Sequence, residues 1–62
     1  MTEPKVGQIW EITSRGRCYL ATVTHIENEH ATLLYQDVPE HIVASFTDLR
    51  LMKDVYRLVR DV

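Results

Sequence analysis

The chain has 62 residues and a single cysteine, which leaves room for one small domain and excludes an internal disulfide. Seven Lys and Arg stand against nine Asp and Glu, a formal net charge of -2, so no global field draws the chain onto DNA or RNA. No apolar stretch approaches the roughly 20 residues needed to cross a bilayer, and MTEPK carries neither the basic patch nor the apolar run of a secretory leader. With the lone Cys18 these features lead us to expect a soluble cytoplasmic protein.

Residues 1–5 read as a flexible polar lead-in, with Pro4 favouring an extended start. Residues 6–13, VGQIWEIT, form the first predicted strand, with Val6, Gln8, Trp10 and Ile12 on one face and Gly7, Ile9, Glu11 and Thr13 on the other. Ile9 is apolar on the outward face, and Gly7 marks a bulge or a close backbone approach; both suit a short sheet that curls into a barrel. Ser14-Arg15-Gly16-Arg17 is a hairpin loop leading into residues 17–26, RCYLATVTHI, the longest run with uninterrupted strand character. Its alternation breaks near Thr24-His25-Ile26, where Val23 and Ile26 both belong inside, so a bulge is predicted there.

A tight turn ending at Glu29-His30 precedes residues 31–36, ATLLYQ, with Ala31, Leu33 and Tyr35 on the inner face and Leu34 as the second outward apolar residue. Asp37-Val38-Pro39-Glu40 is a turn, because proline presets φ and aspartate bonds the backbone ahead of it. Residues 41–46, HIVASF, make a fourth strand. Beyond it, Phe46, Leu49, Met52, Tyr56 and Val59 recur at helical spacing and Ser45 with Asp48 has the form of a capping box, so one helix over 46–59 is an alternative, giving an α+β fold with a four-stranded sheet. The favoured reading is a single helical or 3₁₀ turn at 47–52, a break at Lys53-Asp54 and a last strand at 55–59, because Val55-Tyr56-Arg57-Leu58-Val59 is rich in strand formers. The fold class expected is therefore all-β, with Trp10, Val23, Leu33 and Leu58 buried together and Tyr35 and Phe46 also in the core.

This pattern resembles an SH3-like small barrel. VGQIWEI is similar to the opening strand of several such barrels, VTHIENEHATL resembles the strand-turn-strand core of KOW and Tudor-type domains, and FTDLRLMKDVYRLV resembles their helical turn and closing strand. The second glycine of the KOW loop has no counterpart, since Glu27-Asn28-Glu29 stands there. The resemblance implies a small platform that binds a peptide, a nucleic acid or a partner protein.

No residue set points to catalysis, a cofactor or a small-molecule substrate. His25, His30 and His41 lack the spacing of metal ligands and read as surface residues, and Cys18 reads as a small hydrophobe in a strand. Two features bear on binding. Ile9, Leu34 and Val43 fall on strand faces opposite the core and would form an apolar partner-binding patch, most simply covered by a second copy of the chain. Arg15 and Arg17 in the first loop, with Arg50, Lys53, Arg57 and Arg60 near the end, would share one basic edge, opposed by Glu27, Glu29, Asp37 and Glu40. That edge, with Tyr19 or Tyr56 as a stacking surface, is the nucleic-acid alternative. The leading expectation is a non-enzymatic interaction module for a protein partner; its size fits a small accessory or inhibitory protein of a bacterium or phage.

Overall fold

A computed structural model describes residues 3–62; the first two residues of the expected lead-in lie outside the described residues. The chain is mostly β and runs β1 (Ile9–Ser14), β2 (Arg17–Glu27), β3 (His30–Tyr35), β4 (His41–Ser45), α1 (Phe46–Leu51) and β5 (Tyr56–Arg60). All neighbouring strands pair antiparallel, in the order β4-β3-β2-β1-β5. This order is compatible with a small barrel-like fold, but the hydrogen-bonded ladder does not close, and β4 and β5 remain its two edges. Among the described residues no helix is long and apolar enough to cross a membrane.

Both hairpins around β2 have two-residue loops. Arg15 (φ 52°) and Gly16 (φ 76°) join Ser14 to its partner Arg17, and Asn28 (φ 50°) and Glu29 (φ 60°) join Glu27 to His30. Positive φ at both loop positions is the type I′ geometry, whose twist matches that of paired strands. The predicted bulge is present. Val23 pairs with Leu33 and His25 with Thr32, so Thr24 is the extra residue and the strand bends there. The bend lets one long strand serve β1 on one side and β3 on the other while Ala21 and Val23 stay inside.

The inner faces deliver Trp10 and Ile12 from β1, Ala21 and Val23 from β2, Ala31 and Leu33 from β3, Ala44 from β4 and Leu49 from α1, all buried. Ala21 lies directly opposite Trp10 in the ladder, and its small side chain leaves room for the indole. Leu58 packs against this cluster while remaining partly exposed, as do Tyr35 and Phe46.

The helix stops after six residues, so the continuous helix over 46–59 does not form. Ser45 caps its start, its hydroxyl accepting from the Asp48 N–H at 3.1 Å. At its end the Met52 carbonyl accepts from both Val55 and Tyr56, turning the chain back toward β1, where Thr13 N–H donates to the Val55 carbonyl at 2.8 Å. Pairing β5 with β1 covers backbone groups that a longer helix would leave open at a sheet edge.

The first strand starts later than predicted. Gly7 sits at φ 99°, a turn that breaks the alternation, so Val6 is exposed instead of inside. A Cβ at Gly7 would be strained by this conformation and would also require Val62 Cγ1, 3.0 Å away, to give way.

Next to it Gln8 is fully buried and uses its whole amide. Its Oε1 accepts from Lys5 N–H (3.0 Å) and Trp10 Nε1–H (3.1 Å), while Nε2 donates to Asp61 Oδ1 (2.8 Å) and to the Glu3 carbonyl (3.4 Å). One side chain thus ties the incoming segment, the core indole and the outgoing segment together. The Gln8 amide, then the Val62 N–H, hold the Asp61 carboxyl below its ordinary 3.8. A lowered folded pKa gives stability that is present above the unfolded value and lost as pH falls through the folded one. The melting temperature of the wild type should exceed that of Asp61→Asn near neutral pH, with the gap closing below pH 3.8. A gap that stays constant into strong acid would show that the charge on Asp61 contributes nothing.

Candidate functional site

The outward face of the sheet carries the first candidate. Across it the register sets Arg60, Ile9, Thr22, Leu34 and His41 in one row, and His25, Thr32 and Val43 in the next. Leu34 is 42% and Val43 59% exposed, on adjoining strands, whereas Ile9 is half-buried. Leu20, 39% exposed and two residues before Thr22 on the same face, extends the patch. Sequence reasoning missed it, although the alternation that marked Leu34 as outward applies equally to Leu20 beside Ala21. The apolar surface therefore runs over β2, β3 and β4, with Ile9 at its margin.

The basic residues divide between two grooves. Arg15 and Arg17, with Tyr19, Tyr35, Val38 and Glu40, line a groove of about 570 Å³. There the two tyrosine rings meet edge to face, centroids 5.5 Å apart. Glu40 does not stand opposite the arginines, as the sequence suggested, but beside them. In an antiparallel meander the β1–β2 and β3–β4 connections lie at the same end of the sheet, which brings the Asp37–Glu40 turn back to the Arg15 loop.

Arg50, Lys53 and Arg57 instead rim a second, half-open groove of about 560 Å³ beside α1 and β5, whose other lip is Glu3 and Pro4. Its floor is apolar, made by Trp10, Phe46, Leu49, Tyr56 and Leu58. Arg57 also reaches Glu11, Nε to Oε1 3.2 Å, in an exposed pair of the kind that contributes little to stability. Burial, then the Asp48 carboxylate and the Tyr35 phenol, push the Tyr56 phenol above its ordinary 10.0, so it stays neutral. Arg60 belongs to neither groove. It pairs with Ile9, at the end of β1 away from the Arg15 loop, about 17 Å along the strand at the usual rise per residue.

The histidines are all exposed. His30 Nδ1 bonds the Asn28 carbonyl at 2.7 Å, and His25 Nε2 lies 3.4 Å from Glu27. Cys18 is exposed on the outward face, 3.6 Å from the Thr13 hydroxyl, not buried as a strand thiol commonly is. Among the described residues no group of three or more His, Cys, Asp or Glu is placed to hold a metal ion. No protein-family model, curated protein or solved structure matches the chain.

Proposed function

We propose that the chain is a non-enzymatic, SH3-like interaction module whose partner is a protein, engaged through the outward sheet face, with a second copy of itself as occupant. The observation that supports this reading is the apolar patch of Leu20, Leu34 and Val43, which ends on a sheet edge. A two-fold axis running between two such faces sets each patch on its copy, so that Leu20, Leu34 and Val43 of both copies are covered together. Each of the three side chains still has about 1 kcal/mol to gain on burial, given that full burial contributes about 1.5–3. Six such side chains offset association costs only in part, which makes a contact no tighter than micromolar.

Sedimentation equilibrium at tens of micromolar and above, a range set by that affinity, should show dimer. Leu34→Lys should shift it to monomer with an unchanged circular dichroism spectrum. A wild type that stays monomeric throughout contradicts the reading.

The nucleic-acid alternative has one observation in its favour, the gathering of Arg15 and Arg17 beside Tyr19 and Tyr35. Glu40 in the same groove opposes a phosphate backbone, and Lys53, Arg57 and Arg60 do not join the cluster, so the protein reading is preferred. A labelled single-stranded oligonucleotide bound through Arg15 and Arg17, with affinity falling steeply as salt rises, would replace it.

A further inference from the structure

Three of the seven cationic side chains in a net acidic chain rim one apolar groove. In folding terms this is a costly arrangement. Trp10 and Leu49 are buried, yet they form the floor of an open channel, and Phe46, Tyr56 and Leu58 are left part-exposed beside them. A stability requirement alone would close such a channel with an apolar side chain from the helix. Leu51, the last apolar residue of α1, and Met52 at its C-cap are instead exposed and contribute nothing to its lining.

The lip residues are Arg50 in the last turn of α1, Lys53 in the turn after it and Arg57 on β5, so the positive charges come from three separate points around the floor. Glu3 is the single acidic residue of the lining, and Arg57 is already paired with Glu11, so the charge left for an incoming group is Arg50 and Lys53 against Glu3, two cations less one anion.

From this combination we infer that the groove beside α1 and β5 is a docking site for an acidic peptide segment of another protein, one that seats an aromatic or branched apolar side chain on the Trp10 floor and sets carboxylates against Arg50 and Lys53. The volume, about 560 Å³, falls in the range of sites that take small ligands or a few side chains. Charge complementarity selects the occupant. A carboxylate next to an arginine or lysine at the rim of a low-dielectric floor gains more than in open water, and a basic or neutral segment gains nothing there. A peptide fits better than a fatty acid, because two separate cations call for more than one carboxylate and the groove is half-open instead of enclosed. The site is separate from the outward sheet face, so each contact survives loss of the other.

Trp10 is the only tryptophan, which makes the groove self-reporting. The probe is a capped peptide free of tryptophan and tyrosine, with adjacent phenylalanine and leucine flanked on both sides by glutamates. Titrated into the full chain, it should change Trp10 emission saturably, and its affinity should fall about tenfold on raising salt from low to near-molar levels. Arg50→Gln with Lys53→Gln should weaken binding by a similar factor while leaving the circular dichroism spectrum and the dimer intact, and Leu34→Lys should bind as the wild type does. The same peptide with lysines for glutamates should give no response.

The inference is overturned if the acidic peptide produces no saturable change in emission or amide shifts up to about 1 mM. It is equally overturned if the lysine peptide binds as well, or if decanoate perturbs the same residues more tightly than the peptide, which would make the groove a lipid site.

Discussion

Trp10→Ala should leave the chain unfolded at room temperature. The indole is 7% exposed at the centre of the inner face, opposite Ala21 and beside Leu58 in the two ladders it joins. Truncating a buried tryptophan costs about 3–5 kcal/mol, and a single core in a chain of this length rarely supplies more than about 3–5 kcal/mol. The loss equals the whole margin. Ala21 cannot fill the void, and Val23 and Leu33 are held opposite each other by the β2–β3 pairing. Collapsed amide shift dispersion and a flat thermal melt are the expected signs; Trp10→Phe, which keeps most of the volume, should retain a cooperative melt. A cooperative melt for Trp10→Ala near the wild-type temperature would mean that the core is organised around something else.

The second large effect is at Gln8. Gln8→Leu keeps the side-chain size but removes all four hydrogen bonds of the clasp and leaves the Trp10 indole N–H buried without its acceptor. An orphaned buried donor costs about 1–3 kcal/mol, and release of the two end segments adds to it. Urea melts should therefore show a loss of a large part of the total stability, with the Lys5 amide exchanging freely. A double-mutant cycle separates the contributions: once Trp10→Phe has removed the donor, Gln8→Leu should cost less than it does in the wild type. Equal costs in the two backgrounds would assign the whole effect to the end segments.

The contrast between these residues shows what the sequence made legible. Trp10 stands out by type and by its place in an alternating run, and the same local rules located the Arg15-Gly16 turn, the bulge at Thr24, the Ser45 cap and the strand after Lys53-Asp54. Each depends on neighbours a few residues away. The role of Gln8 does not, because one partner, Asp61, lies 53 residues along the chain. In the linear pattern a glutamine among inward residues looks like an imperfection; only the fold makes it the tie between both ends. The basic residues failed to form one edge for a related reason. Charge carries no periodicity, and its placement follows from where β5 and the β3–β4 turn are brought, so Glu40 joins Arg15 and Arg17 while Arg60 is left apart. Ile9, outward by alternation as predicted, is half-buried, and Leu20 takes the larger share of the exposed face.

The proposed meeting of two copies through this outward face has a direct signature in solution. It is tested most directly by recording amide chemical shifts of the wild type across a dilution series spanning about 10 μM to 1 mM, the range of affinity that the patch supports. Shifts that move with concentration and are confined to Leu20, Thr22, Thr32, Leu34 and the β4 edge around Val43 are the predicted result. Spectra that superimpose at every concentration, or movement confined to the Arg15 loop or to α1, would contradict it.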